Sequence, residues 1–207
     1  VTVSPTSTTA YTVIYDVQGC QDTAVATIVV NPIPVVQTSN AVMCYGDVIN
    51  LIATANLPGG TYLWSTTETT DTISISPAAN SNYSVTYTLN NCTSPAANSI
   101  VTVNPIPVVT LTSAVICQTD PVTLSATPDL LGGTYAWGPN SLPGGSSQTF
   151  TPNQDTTLIV VYTLNNCPSL PATGTVTVHP LPGVTFSASP VEGCAPLAVT
   201  LSADDAN

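Results

Sequence analysis

The sequence predicts an all-β protein built of small β-sandwiches in tandem, and three observations lead to this prediction. Hydrophobic residues make up 43% of the 207 residues, which is enough for a core. Apolar and polar residues alternate with the period of two that half-buried strands show. A block of about 74 residues also recurs along the chain, which is the sequence signature of a repeat architecture.

Three motifs define the repeat. The string VNPIPVV at 30–36 returns at 103–109, and it returns in altered form at 178–184. The strings GGTYxW and TLNNC also occur twice, at the same place in each block. The repeat predicts four segments: 1–31, the C-terminal half of a copy; 32–104 and 105–179, two complete copies; and 180–207, the N-terminal part of a further domain.

Five alternating segments follow one another in each complete copy. In the first copy they lie at 49–53, 62–64, 73–75, 83–89 and 101–103, and each has a counterpart in the second copy. Pro- and Gly-rich breakers separate them, and no stretch has a helical period. Short strands at this spacing, with one Trp per copy, predict an immunoglobulin-like sandwich. The predicted core aromatics are Trp64, Tyr87, Trp137 and Tyr162.

The positions of the cysteines predict disulfide bonds. Each complete copy has one Cys ahead of its first alternating segment and one after its Tyr-rich segment. A domain of about 74 residues buries little surface on folding, so it is expected to need a disulfide for its stability. The simplest pairing is Cys44–Cys92 and Cys117–Cys167, with Cys20 and Cys194 bonding outside this sequence. Six cysteines without metal-type spacing indicate an oxidising, extracytoplasmic compartment.

Charge excludes several classes of function. The chain has no Lys or Arg and a formal net charge of −11, so neither nucleic acid nor an anionic membrane surface is an expected partner. Direct membrane insertion is not expected either, because the apolar runs are strand-sized. The single His179 replaces an Asn before a Pro-x-Pro joint, and the only two Glu residues lie in different copies. We therefore predict no enzymatic activity, no catalytic residues and no cofactor.

The Asp residues have two possible roles, in turns or as ligands of a calcium ion. Asp47 and Asp120 each stand three residues after a Cys, and they are expected to accept backbone hydrogen bonds in turns. Calcium is the competing interpretation, but a hard-cation site needs several converging carboxylates. We predict no metal site from these residues and leave Asp204 and Asp205 undecided.

The motifs together resemble the Ig-like and PKD-like repeats of very large Bacteroidota cell-surface proteins, such as gliding-motility adhesins. The resemblance covers residues 1 to about 180, and the tail from Val184 is similar to the opening of a PKD domain. It implies an extracellular, cell-surface location reached by type IX secretion. It also implies O-glycosylation at Asp-Thr strings, here at Thr23, Thr72 and Thr156.

The leading functional prediction is a structural stalk or fibre segment of a secreted adhesin. The joints leave no slack linker after the strand, so successive copies are expected lengthwise, with Ile33 and Ile106 packed between them. The predicted partners are neighbouring repeats, together with self-association in a fibre. The alternatives are a glycan- or protein-binding module and an accessory repeat of a secreted enzyme. Burial of Tyr62, Trp64 and Tyr87 favours the stalk over the binding module.

Overall fold

The structure is a computed structural model that describes residues 1–138 and 142–206. The described residues form strands and turns and contain no helix, which confirms the predicted all-β class. None of them belongs to a helix long and apolar enough to cross a membrane. The chain separates into two compact units, Val1–Pro105 and Ile106–Asn207, and each unit holds one sandwich and one two-stranded hairpin.

The first unit opens with the hairpin and continues with the sandwich of the first complete repeat. Its strands, in chain order, are β1 (Thr9–Val17), β2 (Cys20–Ile28), β3 (Val36–Thr38), β4 (Ala41–Cys44), β5 (Ile49–Ala55), β6 (Thr61–Trp64), β7 (Thr72–Ile75), β8 (Ser81–Leu89), β9 (Cys92–Thr93) and β10 (Ala97–Asn104).

The second unit holds the second complete repeat and a C-terminal hairpin. Its strands are β11 (Val109–Leu111), β12 (Ala114–Cys117), β13 (Val122–Pro128), β14 (Thr134–Trp137), β15 (Leu142–Gly144), β16 (Ser147–Phe150), β17 (Thr156–Leu164), β18 (Cys167–Pro168), β19 (Ala172–His179), β20 (Gly183–Ser189) and β21 (Thr200–Ala206).

Strand order identifies the sandwich type. In the first repeat, one sheet runs β3-β5-β7 and the other runs β4-β10-β8-β6. The first edge strand is divided between the sheets, because β3 pairs antiparallel with β5 while β4 pairs parallel with β10. The second repeat has the same two sheets, β11-β13-β16 and β12-β19-β17-β14, extended by β15 at the edge. Two facing sheets connected in this order form an immunoglobulin-like sandwich.

Alternation along the strands places the core. Leu51 and Ala53 of β5 and Val85 and Tyr87 of β8 point inward from the two sheets and are buried, while their neighbours face outward. Trp64 lies in the same core, as predicted. The second repeat buries the equivalent residues, with Val160 and Leu124 completely buried. The predicted five segments of each copy are therefore found as strands, while β3, β4, β11, β12 and β15 were not predicted.

The second proline of the Pro-x-Pro joint is buried at the start of each complete repeat. Pro34 and Pro107 are buried in their repeats, next to the inward-facing Val36 and Val109. Ile33 is 66% exposed and Ile106 is 43% exposed, so neither side chain is buried in the core of its repeat. Side chains alternate along an extended segment, so burial of the second Pro turns the residue between the two prolines outward.

Candidate functional site

Each complete repeat has two distinct ends, and these carry the chemistry of the chain. We call the end at which the chain arrives from the preceding segment the proximal end, and the end at which it leaves the distal end. In the first repeat, the Cys92 thiol lies 3.8 Å from the Asn31 carbonyl oxygen, which places Cys92 at the proximal end. At the distal end, Cys44 pairs with Asn104, and the Tyr45 amide donates to the Asn104 carbonyl at 2.8 Å.

The strand register separates the two cysteines of the first repeat. Cys44 lies at the level of Asn104, three residues past Val101, which pairs with Ser81 at the start of β8. Cys92 pairs with Leu89, at the other end of that strand. The eight residue steps from Ser81 to Leu89 span about 26 Å at 3.3 Å per residue, whereas a disulfide needs Cα atoms within about 7 Å.

The second repeat repeats this arrangement. Cys117 pairs with His179, beyond the Thr156 end of β17, and the Gln118 amide donates to the His179 carbonyl at 2.8 Å. Cys167 pairs with Leu164 at the opposite end of β17. In both repeats the cysteine that comes first in the chain is therefore distal, and the second cysteine is proximal.

The predicted pairs Cys44–Cys92 and Cys117–Cys167 are wrong in this structure. Each predicted pair contains a cysteine that is a free thiol in the structure, Cys92 in the first pair and Cys117 in the second. Cys44 and Cys167 each take part in a disulfide. The error has a clear cause, because spacing along the chain does not reveal that β4 runs parallel to β10 and so carries Cys44 to the far end. Cys20 and Cys194 are exposed free thiols.

The aromatic side chains serve the core rather than a binding surface. Trp64 is 2% exposed, Tyr87 2%, Trp137 4% and Tyr162 1%, which confirms all four predicted core residues. Tyr62 is half-buried and packs on Tyr87, with ring centroids 4.8 Å apart.

The hydroxyl groups of the buried tyrosines are held by hydrogen bonds to the backbone. The Tyr87 hydroxyl donates to the Leu57 carbonyl at 2.7 Å and accepts from the Gly60 amide at 2.6 Å. The Tyr162 hydroxyl accepts from the Gly133 amide in the same way. In the second repeat, burial raises the pKa of Tyr135, and the nearby Tyr162 adds a smaller effect in the same direction.

The carboxylates behave as turn residues. The Asp47 carboxylate accepts from the Cys44 amide at 3.2 Å, and the amides of Asp47 and Asp120 donate back to the carbonyls of the preceding cysteines. No cluster of three or more metal-ligating side chains occurs among the residues that the structure describes. Asp204 and Asp205 form part of the backbone of β21, but their side chains lie outside the described part of the chain.

The predicted glycosylation residues differ in accessibility. Thr23 is exposed and lies inside β2. Thr72 and Thr156 are the first residues of β7 and β17, and both are half-buried. The Thr156 hydroxyl donates to the Gln154 carbonyl at 2.9 Å.

Sequence reasoning missed the polar side chains that hold the ends of each repeat. At the proximal end, Asn56 accepts from the Val35 amide, and Asp129 accepts from Val108 in the second repeat, both at 2.8 Å. Toward the distal end, Asn80 accepts from Val103 in the first repeat. The sequence could have indicated this role, because Asn56 and Asp129 are polar residues at the same repeat position, ahead of the Gly-Gly turn.

Comparisons with known proteins find likeness only among solved structures. No known protein family and no curated protein matches the chain. The I9–I11 tandem of titin is 15% identical over 86% of this chain and 76% of that one, with a TM-score of 0.36. A three-domain titin structure, I67–I69, is 8% identical over 83% and 76%, with a TM-score of 0.42. Murine CEACAM1b is 13% identical over 72% and 100%, with a TM-score of 0.37. The immunoglobulin-like architecture itself rests on the strand order and register given above.

Proposed function

We propose that this chain is a structural spacer, a segment of the stalk or fibre of a large secreted cell-surface adhesin. The observation that carries this proposal is the separation of the two ends of each repeat. The chain arrives beside Cys92 and leaves beside Cys44, which lie at opposite ends of the long central strand. When the chain enters a repeat at one end and leaves it at the other, each added repeat lengthens the array, as in solenoid proteins.

The surface supports a spacer over a binding module. Both Trp residues and the central Tyr of each repeat are buried, so these aromatics cannot form a recognition patch. The outward positions of the central strands carry mostly Thr and Ser, as in β8 and β19. The chain has no Lys or Arg and so offers no site for trypsin-type cleavage, which suits an exposed fibre.

The location and parent protein belong to the same proposal. Bonded cysteines at Cys44 and Cys167 support an oxidising compartment outside the cytoplasm. Cell-surface attachment, type IX secretion and a role in gliding motility rest on the resemblance of the repeat motifs. Self-association into a fibre is part of the proposal, with exposed free thiols at Cys20, Cys117 and Cys194.

Small-angle X-ray scattering tests the spacer. A nine-residue strand spans about 30 Å, so two repeats in series measure at least about 60 Å before the hairpins are added. We expect a maximum dimension above that value and a distance distribution typical of a rod. A matched variant with a flexible Gly-Ser linker inserted between Asn104 and Pro105 should broaden the distribution. A compact particle about as long as one repeat would overturn the proposal, and specific retention on a glycan array would favour the binding module.

We also propose O-glycosylation at Thr23, Thr72 and Thr156, with the highest occupancy at Thr23 because its side chain is exposed. The measurement is the intact mass of the chain secreted by a bacterium that carries the modification system. Thr23→Ser should keep the added mass, since Ser retains the acceptor hydroxyl, and Thr23→Val should remove one glycan. An unmodified mass for the starting chain would contradict this proposal.

A further inference from the structure

The distal end of the second repeat brings together two metal-binding side chains that the spacer function does not use. Cys117 of β12 and His179 of β19 are register partners in a parallel strand pair. Both residues are exposed, while the partners one step earlier, Ile116 and Val178, are half-buried. Because side chains alternate along a strand, the thiol and the imidazole leave the sheet side by side on its outward face.

The backbone holds these two residues in fixed positions. The Gln118 amide donates to the His179 carbonyl at 2.8 Å, and the Asp120 amide donates to the Cys117 carbonyl at 3.1 Å. Neighbouring strands lie about 4.8 Å apart. A metal ion with bonds of about 2.3 Å to sulfur and about 2.0 Å to nitrogen joins two donor atoms about 4.3 Å apart when the three atoms lie in a line. The strand spacing therefore matches the span of a linear sulfur–metal–nitrogen unit.

We propose that Cys117 and His179 form a two-coordinate site for a soft monovalent metal ion such as copper(I). Thiolate sulfur is a soft ligand that selects copper(I), and imidazole also suits copper. On binding, the Cys117 thiol releases its proton to solvent, the sulfur and one imidazole nitrogen each donate a lone pair, and the metal keeps its oxidation state. Zinc fits poorly, since its structural sites take four ligands and the described residues contain no cluster of three or more metal-ligating side chains.

The first repeat has the same strand pair without the site. Cys44 pairs there with Asn104, whose amide side chain stands in place of the imidazole. Cys44 takes part in a disulfide, whereas Cys117 is a free, exposed thiol. His179 is the only His of the chain, so the first repeat contains no imidazole. Of the two complete repeats, the second alone combines a free thiol with an imidazole in register.

This inference goes beyond the spacer function and does not depend on it, because a metal site within one repeat can be measured whatever the array carries. The experiment uses the full 207-residue chain. It carries Cys20→Ser, Cys92→Ser and Cys194→Ser, which leave Cys117 as the one free thiol. The probe is silver(I), a soft monovalent ion that needs no reductant to keep its oxidation state.

Proton NMR of the imidazole reports on binding, because the single His179 gives a single set of ring signals. One equivalent of silver(I) should shift these signals, and further silver should not move them. Cys117→Ser should abolish the shift. His179→Asn, which copies the first repeat, should lower the affinity for silver at least about tenfold in competition with a soluble chelator, since one of the two ligands is lost.

Three results would overturn the proposal. Imidazole signals that stay in place while the thiol binds silver would mean that Cys117 acts alone, and equal silver affinities with and without His179→Asn would mean the same. An equal shift with one equivalent of zinc(II) would contradict the assignment to a soft monovalent ion. The NMR shift is measured without any substitution at the site, so it decides the proposal whatever the stability of the two site variants.

Discussion

The N-terminal hairpin and the first complete repeat carry the same local sequence pattern, yet only the repeat buries it. Pro5, Tyr15 and Cys20 stand at the spacing of Pro77, Tyr87 and Cys92. Both regions form two antiparallel strands around a two-residue turn. Tyr15 is 68% exposed in the hairpin, whereas Tyr87 is 2% exposed in the repeat.

The turns of the two regions are alike for a local reason. Gln18 and Gly19 in the hairpin, and Asn90 and Asn91 in the repeat, all have positive φ angles of 49° to 85°. Two central residues with positive φ define the turn whose twist matches that of paired strands, and Gly and Asn adopt this conformation readily. The comparison shows that turn and strand pairing are specified by neighbouring residues, while burial of the tyrosine needs the β3-β5-β7 sheet.

The largest effect on stability is expected when each tyrosine ring is removed. Tyr87→Ala should lower the free energy of unfolding of the first repeat by about 3–5 kcal/mol, because it leaves a large cavity between the sheets. Tyr15→Ala should change it by less than about 0.5 kcal/mol, since an exposed ring fills no core. Denaturant unfolding followed by Trp64 fluorescence in a Trp137→Phe background reports on this repeat. Equal losses for the two variants would show that the hairpin shares its core.

A second test adds a methyl group instead of removing a ring. A Cβ on Gly60 would lie 2.6 Å from the Tyr87 ring and would also meet the Thr88 carbonyl oxygen. Gly60→Ala should therefore cost the first repeat about 1–3 kcal/mol by overpacking. The control is Gly19→Ala in the hairpin turn, where no atom lies within 4 Å of the added Cβ. This variant strains only its own turn and should leave the Trp64 transition unchanged; a shift of that transition would contradict the local interpretation.

A third test removes only the hydroxyl group. Tyr87→Phe leaves the ring in place but orphans the Leu57 carbonyl and the Gly60 amide, which should cost about 1–2 kcal/mol. Tyr15→Phe should be neutral in the same measurement. A neutral Tyr87→Phe would mean that water satisfies both backbone groups, and that packing alone holds this tyrosine.

The smallest expected effect concerns the shared turn. Asn91 has a φ of 63°, so Asn91→Gly should stabilise the first repeat by about 0.5 kcal/mol, because Gly has no steric cost in this region. Thermal unfolding of the variant beside the unaltered chain measures the shift. A loss of stability would indicate that the Asn91 side chain makes a contact on which the turn depends.

Much of the fold and part of the site could be predicted from the sequence. Alternation placed five strands in each copy and assigned Trp64, Tyr87, Trp137 and Tyr162 to the core, because the side-chain period of a strand is two. The repeated motifs gave the copies and their joints. Strands β3 and β4 escaped prediction because each is short and pairs with a different sheet, so neither shows a long alternation.

The sequence by itself determined everything that depends on neighbouring residues: the repeat, the strands, the Asn-Asn turns and the inward phase of the aromatics. Only the tertiary structure decided which ends of the strands lie together. The parallel pairing of β4 with β10 carries Cys44 to the distal end, and the hairpin after β8 holds Cys92 at the proximal end. That choice is made by contacts between residues about 60 positions apart, such as the Ser99 hydroxyl and the Ser39 carbonyl, 2.7 Å from each other. Local patterns carry no record of such pairings, because a strand's alternation is the same whichever neighbour it pairs with and in whichever direction.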